Sequence, residues 1–187
     1  SVSGTPMGDR LAGFVAWLDA QSPGSTHEVV GVDRPEAGYS SETILLDVRR
    51  TDAGDGGAHD ERLVLKLPPA GPAIFPTYDF TLQARVQEAA AAAGIPTATP
   101  ARSEEDGRWL GVPFLVMPAV EGHIVGEVPA LDRRLTGADP KANRELHTTF
   151  VHLVADINRL RPGDGPAATL AGVVPHRDNA AELAYWR

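Results

Sequence analysis

One lysine sits in the middle of an apolar run, Glu61-Arg62-Leu63-Val64-Leu65-Lys66-Leu67-Pro68-Pro69, downstream of the turn-like segment Gly38-Tyr39-Ser40-Ser41-Glu42-Thr43. The run reads as a largely buried strand. A lysine placed there must find an anion or hold its ammonium at the rim, because an unpaired buried charge is costly. A strand lysine facing a Gly/Ser turn is one way to hold the phosphates of a nucleotide. The competing reading is a strand-edge lysine whose stem lies on apolar surface while its head reaches water.

The rest of the composition narrows the chemistry. With 187 residues, 42% of them hydrophobic, the chain can bury a sizeable core. A formal net charge of −8 argues against a general nucleic-acid binder. Zero cysteines exclude disulfides, thiolate nucleophiles and Cys-based zinc sites, and fit a reducing compartment. No apolar run approaches a membrane span, and Ser1-Val2-Ser3-Gly4-Thr5-Pro6 lacks the basic and apolar regions of a signal peptide. A cytoplasmic protein without membrane or nucleic-acid partners is the expectation, and oligomeric state is not readable.

The elements that must position the lysine follow from periodicity. Leu11, Phe14, Val15 and Leu18 give an amphipathic helix from Asp9 to Gln21, with Asp9 as its cap. Glu28 to Asp33 is a short strand. Thr43 to Arg50 alternates, with Ile44, Leu46 and Val48 on one face. A Gly/Asp-rich turn over Thr51 to Asp60 joins it to the lysine strand as an antiparallel hairpin. Asp79 to Ala93, with five consecutive alanines, is a helix stopped by Gly94 and Pro96. Thr97 to Ser103 and Trp109 to Val120 form a second strand pair around Glu104-Glu105-Asp106-Gly107. Glu121 to Asp139 is loop-like. Asp139-Pro140 then opens a helix with the stripe Leu146, Phe150, Leu153, Ile157 and Leu160, closed by Arg161-Pro162-Gly163. A Pro/Gly loop and a last helix, Asn179 to Arg187, complete the chain. Clustered strands with one intervening helix, followed by helices, make an α+β fold.

Several segments carry a resemblance when taken in order: Gly38-Tyr39-Ser40-Ser41-Glu42-Thr43-Ile44-Leu45-Leu46, Phe75-Pro76-Thr77-Tyr78-Asp79, Gly94-Ile95-Pro96-Thr97, and Leu110 to Met117 ending in Val120-Glu121-Gly122. Their succession resembles the aminoglycoside phosphotransferase family, in particular the bacterial small-molecule phosphotransferases related to the kinase-like domain attached to some acyl-CoA dehydrogenases. The likeness runs from residue 10 to 160 and is looser beyond. It implies a protein-kinase-like fold, with an antiparallel sheet of about five strands plus helices over residues 1–120. Residues 121–187 would then be a hinge linker and the first helices of a helical C-lobe.

The resemblance also implies roles. Lys66 occupies the position of the lysine that orients the α- and β-phosphates of ATP or GTP. Ser40 and Ser41 lie where the phosphate-covering loop turns, and small hydroxylated residues there add donors. The helix position that supplies a carboxylate to the lysine in kinases falls on Gln83, which can hydrogen-bond Lys66 but not neutralise it. Glu88, more than a turn later, reads as a solvated helix residue. Pro118 O and Val120 N–H are the implied partners of the adenine edge, with Met117 as core packing. Mg²⁺ would accompany the nucleotide, and the acceptor would be a hydroxyl of a small molecule.

Two other signals carry no chemistry. His176-Arg177-Asp178 mimics the kinase catalytic triplet, but the Asn expected five residues after Asp178 is Leu183. His147 and His152 lie about 140° apart around one helix, so they do not converge on one metal. The family's catalytic Gly-Asp-x-x-x-x-Asn loop and later Asp motif do not occur among the 187 residues, so no catalytic or metal-binding residue is assigned. The expectation is the nucleotide-binding part of a longer phosphotransferase. The alternative is a non-catalytic pseudokinase or interaction module, to which the Gln at the carboxylate position lends weight.

Overall fold

The computed structural model describes residues 7–35, 40–54, 56–71, 74–123, 137, 139–173 and 179–185. Helix α1 (Met7–Gln21) begins two residues ahead of Asp9, which falls in its first turn instead of capping it. A carboxylate there still meets the positive end of the helix dipole. The buried face is Phe14, Trp17 and Leu18, an i, i+3, i+4 set, so Trp17 takes the place expected of Val15. Leu11 is partly buried against the same core.

Five strands follow: β1 (Ser25–Asp33), β2 (Glu42–Asp52), β3 (Ala58–Leu67), β4 (Arg102–Glu104) and β5 (Phe114–Pro118). They form one sheet in the order β1-β2-β3-β5-β4, every neighbouring pair antiparallel. The expected turn between β2 and β3 contracts, because the ladder continues out to Thr51↔Ala58. Polar residues from Ala58 to Arg62 are exposed, and backbone pairing holds them in the strand without a buried face. Strand β1 likewise begins at Ser25, ahead of the expected Glu28. β4 and β5 are shorter than expected, since Gly107 to Leu110 turn and Gly111 adopts a left-handed φ of 79°.

The sheet is the middle layer. One face presents Ile44, Leu46, Val48, Leu63, Leu65, Leu67, Phe114 and Val116 to α1. Phe14, Trp17 and Phe114 meet there, with the Trp17 and Phe114 ring centroids 5.0 Å apart and nearly perpendicular. The approach is close: a Cβ on Gly13 of α1 would overlap the backbone carbonyl of Trp109. The other face presents Val64, Leu115 and Met117 to a second helix, α2 (Phe80–Ala92). Because strand side chains alternate, Lys66 shares this second face with Val64, between the core residues Leu65 and Leu67.

Helix α2 fits its sequence signals. Asp79 Oδ1 accepts the Leu82 N–H at 2.7 Å, and Gly94 leaves the helix at φ 78°. Its outer side packs Ala89 against Ala167 and Leu170 of a 3₁₀ helix (Gly165–Leu170), where the sequence reading expects only loop. Helix α3 (Pro140–Arg159) starts with Asp139 as cap and Pro140 in its first turn, and α4 spans Asn179–Tyr185. None of the residues of α3 is buried, and Leu146, Phe150 and Ile157 are each more than half exposed. No described helix is long and apolar enough to cross a membrane. Gly38, Tyr39, the His176-Arg177-Asp178 triplet and most of the 121–139 linker lie outside the described residues. The architecture is α+β: a five-stranded antiparallel sheet with helices on both faces and a few helices after it, as in a kinase-like N-lobe.

Candidate functional site

Lys66 is fixed by two ladders, paired with Thr43 of β2 on one side and Leu115 of β5 on the other. Its backbone cannot shift without breaking both. Its half-buried side chain enters a cleft of about 470 Å³. Ser40 and Ser41 form the neighbouring edge of that cleft, because β2 begins at Glu42, directly opposite Leu67. Ser41 is buried and Ser40 half-buried. Among the described residues, no carboxylate lies within ion-pair reach of the Lys66 ammonium.

The facing wall comes from the first turn of α2. Asp79, Leu82 and Gln83 stand at i, i+3 and i+4, so they share one side of the helix. The remaining wall is aromatic: Phe75 and Tyr78 from the loop before α2, and Tyr185 from α4. Tyr185 Oη and Thr77 Oγ1 are 3.3 Å apart, which ties α4 to that loop.

Four of the residues singled out from sequence, Lys66, Ser40, Ser41 and Gln83, therefore line one cleft. Gln83 is exposed in its wall and makes no side-chain hydrogen bond to Lys66 among the described residues. The sequence reading gave Asp79 only a place in the helix, yet among the described residues its carboxylate is the only acidic group in the lining. The available signal was its position one turn before Gln83. Glu88 is exposed as expected but is not merely solvated: its Oε1 accepts the Ala101 N–H at 2.7 Å and ties α2 to the approach to β4.

Pro118 and Val120 do not line the cleft. Pro118 closes β5 opposite Leu63, and the Ala119 N–H donates to Arg62 O at 2.8 Å. In an antiparallel ladder alternate residues turn their polar groups to opposite sides. The Pro118 carbonyl, in the same peptide as the Ala119 N–H, therefore faces away from β3, past the point where β4 pairing ends at Arg102↔Val116. Val120 is 74% exposed, while Met117 packs with Phe80, Ala84 and Leu115 as a core residue.

Among the described residues, no three His, Asp or Glu side chains come together to hold an ion, and His147 and His152 are exposed on α3. Two carboxyls at the opposite end of the hairpin are shifted. The Ser25 hydroxyl, and after it Arg50, holds Asp52 below the ordinary aspartate range. The Arg49 guanidinium does the same for Asp60.

A half-buried lysine lining one cleft with two serines at the open end of a hairpin suits an anionic ligand with several oxygen acceptors. A comparison with protein-family models is in keeping with that chemistry: the model of the phosphotransferase enzyme family APH matches residues 32–185, from the end of β1 to the end of α4. A search of the curated proteins found no match. The family match takes in the lysine strand, the serine turn and the α2 wall together, and the chain belongs to the phosphotransferase enzyme family.

Proposed function

We propose that this chain binds ATP or GTP with Mg²⁺ and orients it for transfer of the γ-phosphate to a hydroxyl of a small molecule, in the cytoplasm. The observation that carries the proposal is Lys66, a half-buried residue with no carboxylate in reach among the described residues, which lines one cleft with Ser40 and Ser41. In water its ammonium would be hydrated, whereas in this strand it gains most from an anion brought to it. Lys66 would contact the α- and β-phosphates, with the serine hydroxyls donating to their oxygens and Gln83 flanking the lysine. Pro118 O, turned away from the ladder, and Val120 N–H would meet the edge of the base. Residues 1–120 would act as the nucleotide-binding lobe, and residues 121–187 as hinge and first helices of a second lobe.

The residues fit the triphosphate better than they fit the metal. Among the described residues Asp79 is the only carboxylate of the lining, and one of its oxygens is engaged by Leu82 N–H. Mg²⁺ would therefore be held chiefly by phosphate oxygens. The family's transferring Asp and Asn belong to a Gly-Asp-x-x-x-x-Asn pattern that these 187 residues do not contain, so the role proposed for them is binding and orientation.

Thermal melts and calorimetric titration with Mg·ATP and Mg·GTP test the proposal on the wild type and Lys66→Ala. Stabilisation by nucleotide that Lys66→Ala abolishes is expected. Equal nucleotide affinity in both proteins would overturn the role given to Lys66. Gln83 favours a second reading, nucleotide binding without catalysis, because a neutral amide cannot form the lysine–carboxylate pair that active kinases use.

A further inference from the structure

Glu42 stands back to back with the serine turn. It is the first residue of β2, follows Ser41 directly and pairs with Leu67 at the last rung of the β2–β3 ladder. Side chains alternate along a strand, so Glu42 shares a face with Ile44, Leu46 and Val48, the face covered by α1. Lys66 and its cleft lie on the other face, and Glu42 is not part of the cleft lining.

Two arginines converge on the Glu42 carboxylate. Arg10 of α1 brings Nη1 to 3.6 Å from Oε2, and Arg34, just past the end of β1, brings Nη2 to 3.7 Å from Oε1. The first pair is largely out of solvent, with 15% of the Arg10 side chain and 23% of the Glu42 side chain exposed. Among the described residues, Glu42 is the one carboxylate within ion-pair reach of either arginine. Resting on the nucleotide reading above, we infer that Glu42 is a positioning residue: with Arg10 and Arg34 it holds the Ser40-Ser41 turn in place against the phosphates.

The ladder shows why the turn needs holding. β1 and β2 pair only as far as Asp33↔Leu45, so Glu42, Thr43 and Ile44 have β3 alone as a strand neighbour among the described residues. Ile44 is fully buried and is the last apolar anchor of β2, and both serines lie beyond it. A strand end paired on one side opens more easily than one paired on both. Arg34 spans the open side from the end of β1, and Arg10 ties the same carboxylate to α1. The arrangement serves position more than stability. Two guanidiniums share one carboxylate, and Arg10 Nε is buried without a hydrogen-bond partner among the described residues. Charges so incompletely satisfied add little to the fold.

Glu42→Gln keeps the shape and removes the charge, while Arg34→Gln removes the more exposed partner and carries both readouts if Glu42→Gln does not fold. Backbone NMR relaxation on the purified chain should show Ser40 and Ser41 more mobile in both variants, with Leu65 and Leu115 unchanged. Calorimetric Mg·ATP affinity should fall by about threefold or more in Glu42→Gln and by less in Arg34→Gln. Serine amides as rigid as in the wild type overturn the inference. Loosening shared by Leu65 and Leu115 also overturns it, because Glu42 would then be a general prop of the sheet. The same holds for Mg·ATP affinity that stays constant while the serines loosen. If the wild type binds no nucleotide, the nucleotide reading falls, and serine mobility alone still decides whether Glu42 holds the turn.

Discussion

At the turn end of the β2–β3 hairpin, Arg49 pairs with Asp60 at 2.8 Å and Arg50 with Asp52 at 2.8 Å, and midway along it Arg62 lies 3.4 Å from Asp47. At the other end of the same two strands, Lys66 has no carboxylate in reach among the described residues. Both ends share one ladder and one apolar floor, so backbone pairing does not account for the difference. The turn end satisfies its charges locally, with exposed pairs that contribute little each. The cleft end leaves a less exposed cation unpaired, which serves the fold poorly and suits a site that awaits an anion. An ion pair completed within the protein marks structure; one left half-made beside a cleft marks binding.

The widest effect should come from the shared floor. Phe114→Ala, which removes a ring packed on Phe14 and Trp17, is expected to cost about 3–5 kcal/mol in urea unfolding and to weaken both ends together. Lys66→Ala should separate them, lowering nucleotide affinity by about tenfold or more while costing less than about 1 kcal/mol of stability. A melt as damaged as that of Phe114→Ala, with binding intact, would make Lys66 a structural residue and dissolve the contrast. Asp60→Asn at the turn end should do the reverse, leaving nucleotide affinity unchanged with only a small loss of stability.

The smallest effect is acid dependence at the turn end. Asp52 is held below the ordinary aspartate range by Ser25 and Arg50, so the folded protein binds that proton less readily than the unfolded chain. Its contribution to stability is complete above the ordinary value of about 4 and is lost as pH falls through the lowered one. Melting wild type and Asp52→Asn from about pH 6 downward should show a difference that shrinks towards the acid end. A difference that stayed constant would mean that the carboxyl is not shifted.

Much of this was legible because the signals are local. The alternation of Ile44, Leu46 and Val48 fixed the buried face of β2, and Asp79 with Gly94 fixed the ends of α2. Lys66 was conspicuous because its strand is otherwise apolar. Features set by tertiary contact were not legible. Trp17, three residues after Phe14, and Val15, four after Leu11, both fit the helical period, and the contact of Trp17 with Phe114 decides which of them turns inward. The start of β3 is polar and exposed, held only by its partner strand. The 3₁₀ helix is too short to show a period. Membership of the cleft joins residues 41, 66, 79 and 185, which only the folded chain brings together, so Asp79 and the aromatic wall had to be seen.

The alanine run in α2 has a mechanical consequence. Ala89 lies under Ala167 and Leu170 with 2% of its surface exposed, so α2 meets the 3₁₀ helix through small side chains at close range. A bulkier side chain at this point would press α2 and the 3₁₀ helix apart. Asp79, Leu82 and Gln83, one to three turns away, would swing with α2. The width of the cleft is thus gauged at its back, by the smallest side chains in the protein, and α2 acts as the lever between them.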